Sequence, residues 1–270
     1  MKQNLRGILT FLRDIVSNKA MLWNLAKNDI KSRYASSMLG FTWAYIQPLC
    51  TILVLWFVFQ VGLRSANIGN APFIVWFGTA FLAWNFFSET MAGVTGSLRD
   101  YSYLVRKVNF RVSIIPLVRI LSGAFVHIGF IAFIFVMVGV YHMPYSVYNL
   151  QVFYYFFCMI ALLVGLGWFL AAITPFVTDV QSVVNVVIQV GFWATPIAWN
   201  PEGMSPWVQL ILKINPMYYV CRGYRDAFID QVWFWQRGYT NLYFWAVTIF
   251  MFVFGAYVFK KLRPEFADVL

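Results

Sequence analysis

The sequence predicts an all-α integral membrane protein. It has six transmembrane helices, an N-terminal amphipathic interface helix and an outer re-entrant helix pair. Two observations carry this. Hydrophobic residues make up 61% and charged residues 11%, against ~45–50% and ~25% in soluble domains. Stretches free of Lys, Arg, Asp and Glu also recur near the ~20 residues needed to cross a bilayer. A soluble globular enzyme is excluded for want of polar surface. Disorder is excluded because it needs low hydrophobicity and high charge. A length of 270 residues suits one or two domains.

The elements follow in order. The first 20 residues alternate charge with short apolar pieces and lack the continuous apolar core of a signal peptide. Over 20–38, Trp23, Ala26, Ile30 and Tyr34 recur at helical spacing, with Lys27, Lys31 and Arg33 elsewhere on the wheel. This reads as a helix lying in the membrane interface, or as a plain basic anchor. Residues 1–38 thus form a cytoplasmic N-terminus, 39–262 a membrane domain and 263–270 a cytoplasmic tail. Span one is 41–63. Span two is 72–97, interrupted only by Glu89. Span three is 113–140, with Arg119 near its start and His127 inside. From 143 to 201 the only ionisable residue is Asp179, which suits two spans, 149–173 and 181–199. Pro175 breaks the helix between them. The last span is 242–259.

Two connections are more than turns. Segment 98–111 holds an apolar set, Tyr101, Leu104, Val105 and Val108, surrounded by Arg99, Arg106, Lys107 and Arg111. It reads as a short amphipathic docking helix or as a solvated basic loop. The outer segment 200–240 opens with a Pro- and Gly-rich loop. Two apolar pieces follow, both too short to cross. Asn215 is placed to cap the second, with Pro216 at its first position, and Met217, Val220, Tyr224 and Phe228 share one face. The pair reads as a lid over a central path, or as a surface ornament.

The basic residues orient the chain. The 20 Lys and Arg against 10 Asp and Glu give a net charge of +10. In a membrane protein this reflects cationic cytoplasmic loops rather than a nucleic-acid partner. With both ends cytoplasmic, seven basic residues fall in 1–40, five in 99–119 and three in the tail, against five on the outer side. Cys50, Cys158 and Cys221 lie far apart and show no metal-ligand spacing.

Catalytic chemistry is sparse. Glu89 and Asp179 are the only acids in or at the edge of spans, and they are not paired. His127 and His142 are fifteen residues apart and cannot share a helix turn. No HExxH, DxD or phosphate-loop pattern occurs, so no cofactor is expected in this chain. Glu89 is either functional, as an intramembrane charge, or satisfied by a neighbouring helix. The positive signal is aromatic. On span two Phe73, Trp76, Phe77, Trp84 and Phe87 recur at helical spacing. Interfacial anchoring explains many such rings. A charge-poor aromatic path would suit a sugar polymer better than an ion.

The segment KNDIKSRYASSMLGFTWAYIQPL at 27–49 resembles the start of the permease subunits of bacterial polysaccharide ABC exporters. Asp29, Arg33, Tyr34, Leu39, Gly40, Trp43, Pro48 and Leu49 carry the likeness. LVRKVNFRVSIIPLVRIL at 104–121 is similar to that family's segment between spans two and three. ATPIAW at 194–199 and NPMYYVCRGYRDAF at 215–228 are similar to its outer element. The resemblance runs in order along nearly the whole chain.

It implies a homodimer in the bacterial inner membrane, bound by two copies of a separate phosphate-loop ATPase that carries the ATP and Mg. Asp29, Arg33, Tyr34, Arg99, Tyr101, Leu104, Arg106 and Lys107 would couple to that ATPase. Pro196, Asn215, Pro216, Tyr218, Tyr224 and Arg225 would form an outer gate. Phe73, Trp76, Phe77, Trp84, Phe87 and Glu89 would face the channel. The implied substrate is a polyprenyl-diphosphate-linked polysaccharide such as O-antigen. Arg33, Arg99 and Arg106 would meet its diphosphate or anionic lipid head groups. A related exporter of capsule, teichoic acid, drug or lipid, a membrane enzyme acting on envelope sugars, and a scaffold are the competing readings.

Overall fold

The computed structural model describes residues 19–62, 71–106 and 110–270. Residues 1–18, Arg64, Lys107 and Val108 lie outside the described residues. Among the described residues the chain is helical, with no strand. We name the helices α1 (Lys19–Arg33), α2 (Trp43–Trp56), α3 (Phe73–Asp100), α4 (Ser102–Val105), α5 (Ile114–Val140), α6 (Val152–Ile173), α7 (Val180–Ala194), α8 (Pro206–Leu212), α9 (Pro216–Arg225), α10 (Gly238–Leu262) and α11 (Phe266–Val269).

Four helical stretches are long and apolar enough to cross a membrane: Gly40–Gly62, Ile114–Val140, Val147–Ile173 and Phe234–Val269. The first joins α2 to a π-helical turn, Phe57–Gly62. Helix α7 is apolar but has only 15 residues. Helix α3 has the length, 28 residues, but carries Thr, Ser and Gly along it.

The composition of α3 follows from its place. It packs against α2, α5, α6, α7 and α9, and 19 of its residues are buried. A helix enclosed by protein can hold hydroxyls if they bond its own carbonyls. Thr79, Thr95 and Ser97 do so, donating to the carbonyls of Trp76, Met91 and Val94 at 2.7–3.1 Å.

The most extensive pairing is α6 with α10, and small residues set it. A Cβ at Gly255 would overlap the Gly165 carbonyl oxygen, and one at Gly165 would sit 2.6 Å from the Phe252 nitrogen. Glycine at both places lets the backbones touch.

Helix α1 lies along α5 rather than standing alone. Its packed face is Leu22, Leu25 and Ala26, against Ile114, Val118 and Leu121. That face is turned from the expected Trp23–Ala26–Ile30–Tyr34 stripe. Trp23 stays 44% exposed, touching Phe125 edge-on. The turn comes from Asp29, which is buried toward α5 and draws its own face inward.

The break between α6 and α7 falls at 174–179, around Pro175. The C-terminal residues also pack: Phe266 is fully buried against Phe176 and Phe259.

Candidate functional site

Polar chemistry concentrates at the two ends of α3. At its C-terminal end the centre is Asp29, 2% exposed. Asp29 and Arg33 sit four apart on α1 and so share a face. Arg119 and Ser122 share the facing side of α5, and Tyr101 stands at the corner between α3 and α4. The carboxylate accepts from Arg33 Nη2, Tyr101 Oη and Ser122 Oγ, each at 2.6 Å. It pairs with Arg119 Nη1 at 2.8 Å. Arg119 also pairs with Asp100. One buried carboxylate therefore ties α1, α5 and the α3–α4 corner together.

Burial alone would push the Asp29 carboxyl up. The hydrogen bonds from Ser122 and Tyr101 and the charges of Arg119 and Arg33 outweigh it and hold the group below its ordinary value. The Tyr101 phenol is pushed well up, first by burial and then by its bond to the Asp29 carboxylate.

The other residues expected at this end have separate partners. Arg99 donates to the Thr174 carbonyl at 2.5 Å, closing the end of α6. Arg106 donates to the Leu270 main-chain oxygen. Leu104 and Val105 pack into the core, while Tyr103 is 59% exposed. The short helix thus turns its apolar side inward and presents Tyr103 and Arg106. Tyr34 lines a small cleft with Arg33, Glu89, Arg119 and His127. Glu89 is exposed at its rim.

At the N-terminal end of α3 the centre is Arg225, 6% exposed. No acid pairs with it among the described residues. It donates to the carbonyls of Pro196 at 2.7 Å, Ile197 at 2.6 Å and Trp76 at 3.2 Å. Its guanidinium lies 3.4 Å from the Trp76 ring centroid. Carbonyl dipoles and a ring face replace the missing counter-ion. Asn215 caps α9 as its sequence predicts, accepting from the Met217 N–H at 3.0 Å. It also donates to Thr195 Oγ1 at 2.8 Å. Pro216 holds the first helical position. A cavity of about 230 Å³ opens beside Arg225, with Trp76, Tyr218 and Arg222 among its walls.

The aromatic series on α3 is placed differently from the sequence expectation. Phe73, Trp76, Phe77, Trp84 and Phe87 are all less than 10% exposed. Phe73 stacks on Phe77, and Trp84 lies against Phe87 and Phe192. Five elements surround α3, so its ring faces are taken up inside the chain. Only Trp76 also reaches the cavity.

Three links had no clear signal in the sequence. Ser122 and Arg119 reach Asp29 across about ninety positions. Arg237 pairs with Asp226 at 2.7 Å. His127, 1% exposed, bonds Tyr224 Oη at 2.7 Å through Nε2, so α9 is joined to the middle of α5. Among the described residues no group of three or more His, Cys, Asp or Glu could hold a metal.

Long apolar helices gathered around an enclosed helix, whose only charge between its two ends is Glu89, define a multi-span membrane protein. The ABC-2 type transporter family matches residues 21–229. The chain belongs to that family and is a transport permease rather than an enzyme. It is 24% identical over 264 residues to an "O-antigen export system permease protein RfbA" of Myxococcus xanthus, covering 97% of this chain and 99% of that one. It is similar to two Klebsiella pneumoniae proteins of the same name. They are 26% and 24% identical, and each match covers 100% of this chain and 98% of the relative.

Proposed function

We propose that this chain is the channel-forming permease subunit of an ATP-driven exporter of polyprenyl-diphosphate-linked polysaccharide, O-antigen above all. Transport runs from the cytoplasmic to the outer side of the bacterial inner membrane. The observation that carries this reading is the similarity, end to end, to relatives named for O-antigen export.

In this reading the spans are six: α2 with its π turn, α3, α5, α6, α7 and α10. Helices α8 and α9 form the outer re-entrant pair. Both chain ends are cytoplasmic. A second copy completes the channel. The apolar faces of α2 and α7, where Val183, Val187, Val190 and Trp193 are exposed, are suited to meet that copy or lipid. Two phosphate-loop ATPase subunits, carrying ATP and Mg, bind the cytoplasmic face at α1 and the α4 corner. Asp29, Arg33, Tyr34 and Tyr101 set the geometry of that face, and Arg106 presents charge. Arg33 and Arg106 are exposed while Arg99 is half-buried against Thr174, so the first two are the better candidates for the substrate's diphosphate. Of the α3 series, Glu89 borders the cleft beside Arg33 and Arg119 and is the candidate to meet the polymer.

Deletion of the gene tests the reading. Finished lipid-linked polysaccharide then accumulates on the cytoplasmic side, and normal surface polysaccharide would rule the function out. For coupling, Arg106→Glu is expected to weaken copurification of the ATPase. Unchanged binding and unchanged export would remove Arg106 from that role.

A further inference from the structure

The cavity beside Arg225 has no part in the export route described above. Its walls include Trp76, Asn200, Glu202, Tyr218, Arg222 and Asp230. Both signs of charge are present: Arg222 stands with buried Arg225, and Glu202 with Asp230. An anion would meet two carboxylates, and a cation two guanidinium groups. An apolar ligand would strip water from all four. A neutral molecule bearing many hydroxyls can donate to the carboxylates and accept from the guanidinium at once.

Two further observations narrow the ligand. Tyr218 gives the cavity aromatic wall, and Trp76 borders it with its ring under the Arg225 guanidinium. The volume, about 230 Å³, is below the ~300–1,000 Å³ of drug-sized sites. It holds one ring rather than a chain. Glu202 is held in place, with its N–H donating to Asn200 Oδ1 at 3.0 Å and its carboxylate accepting from Asn200 Nδ2 at 3.2 Å.

We propose that this cavity is a binding site for a single neutral sugar residue, formed within one copy of the chain where α3 meets α9 and the 196–202 loop. The proposal rests on the export reading only for the side of the membrane the site faces. A sugar held there would bear on Arg225, and through it on the 196–197 backbone and the top of α3.

Saturation-transfer NMR on the full chain in nanodiscs tests it, with glucose, galactose, mannose, rhamnose and N-acetylglucosamine as probes and inorganic phosphate as competitor. At least one sugar is expected to bind saturably and to resist phosphate. Glu202→Gln and Arg222→Ala are each expected to weaken binding about tenfold, the loss for one charge-assisted hydrogen bond. Glu202 lies on an exposed loop, so its variant keeps the fold if Arg222→Ala does not. No transfer from any sugar, transfer unchanged in the Glu202 variant, or displacement by phosphate overturns the site. If a chain that restores surface polysaccharide to a deletion strain binds no sugar, the site falls and export stands. If sugar binds but the deletion strain has normal surface polysaccharide, the export reading falls alone.

Discussion

Asp29 shows how much one carboxylate can hold. Its four partners come from three parts of the chain, and its side chain is 1% exposed. Removing one member of a buried ion pair costs about 3–5 kcal/mol. Arg33 is 35% exposed and can rehydrate, so Asp29→Asn is expected to cost nearer 2–3 kcal/mol. Hydrogen exchange read over residues 19–33 should then quicken by about two orders of magnitude, while α6 stays protected. The pH dependence has a definite sign. A carboxyl held below its unfolded value stabilises above that value, ~3.9, and the contribution is lost as pH falls through the lower folded value. Protection of α1, corrected for intrinsic exchange, should be flat from neutral pH to about 5 and fall only below ~4. Loss centred near pH 6 would exclude Asp29 as the anchor. Asp29 and Arg33 stand four apart in the sequence, the spacing of one helical face. Arg119 and Ser122 were not legible as partners, because nothing local marks a contact made by folding α1 back onto α5.

Helix starts and breaks were the most legible elements. Asn215 before Pro216 carries its own capping chemistry, and the structure makes that bond. Asn215→Ala is expected to destabilise α9 by about 1 kcal/mol, seen as faster exchange over 216–225. Unchanged exchange there would mean that the Arg225 contacts alone fix the helix. Pairing between elements was less legible. The approach of α6 and α10 depends on Gly165 and Gly255, which the sequence presents as two glycines among seventeen. Gly255→Ala should lower the thermal midpoint, at a cost of about 1–3 kcal/mol for overpacking. Gly93→Ala should be nearly neutral, since its nearest contact would be an ordinary 3.9 Å to Arg119 Cδ. The facing of α1 was misjudged for a definite reason. Periodicity counts Asp29 as polar and therefore outward, whereas its partners make it the most buried charge on the helix.

For the whole molecule, composition announced the membrane, but the roles of individual rings were hidden. Periodicity cannot distinguish an aromatic face toward a channel from one packed inside the chain. Helix α3 proves to be the second kind over most of its length. Orientation is open to direct measurement. In a chain with Cys50, Cys158 and Cys221 replaced, a cysteine at Tyr103 should be labelled only from the cytoplasmic side and one at Glu202 only from the outer side. Both reacting from one side would contradict the proposed topology.

Helix α3, 28 residues long, is a rod of about 42 Å, gripped at both ends. One grip is Arg225 on its Trp76 turn, and the other is Asp100 and Tyr101 against Arg119 and Asp29. Side chains enclose it along most of its length and leave it little room to bend. A tilt of about 5° swings one end by roughly 4 Å relative to the other, over a rod of this length. Force applied at the corner after Asp100 therefore arrives at Trp76 as displacement, with no signal passed from residue to residue in between.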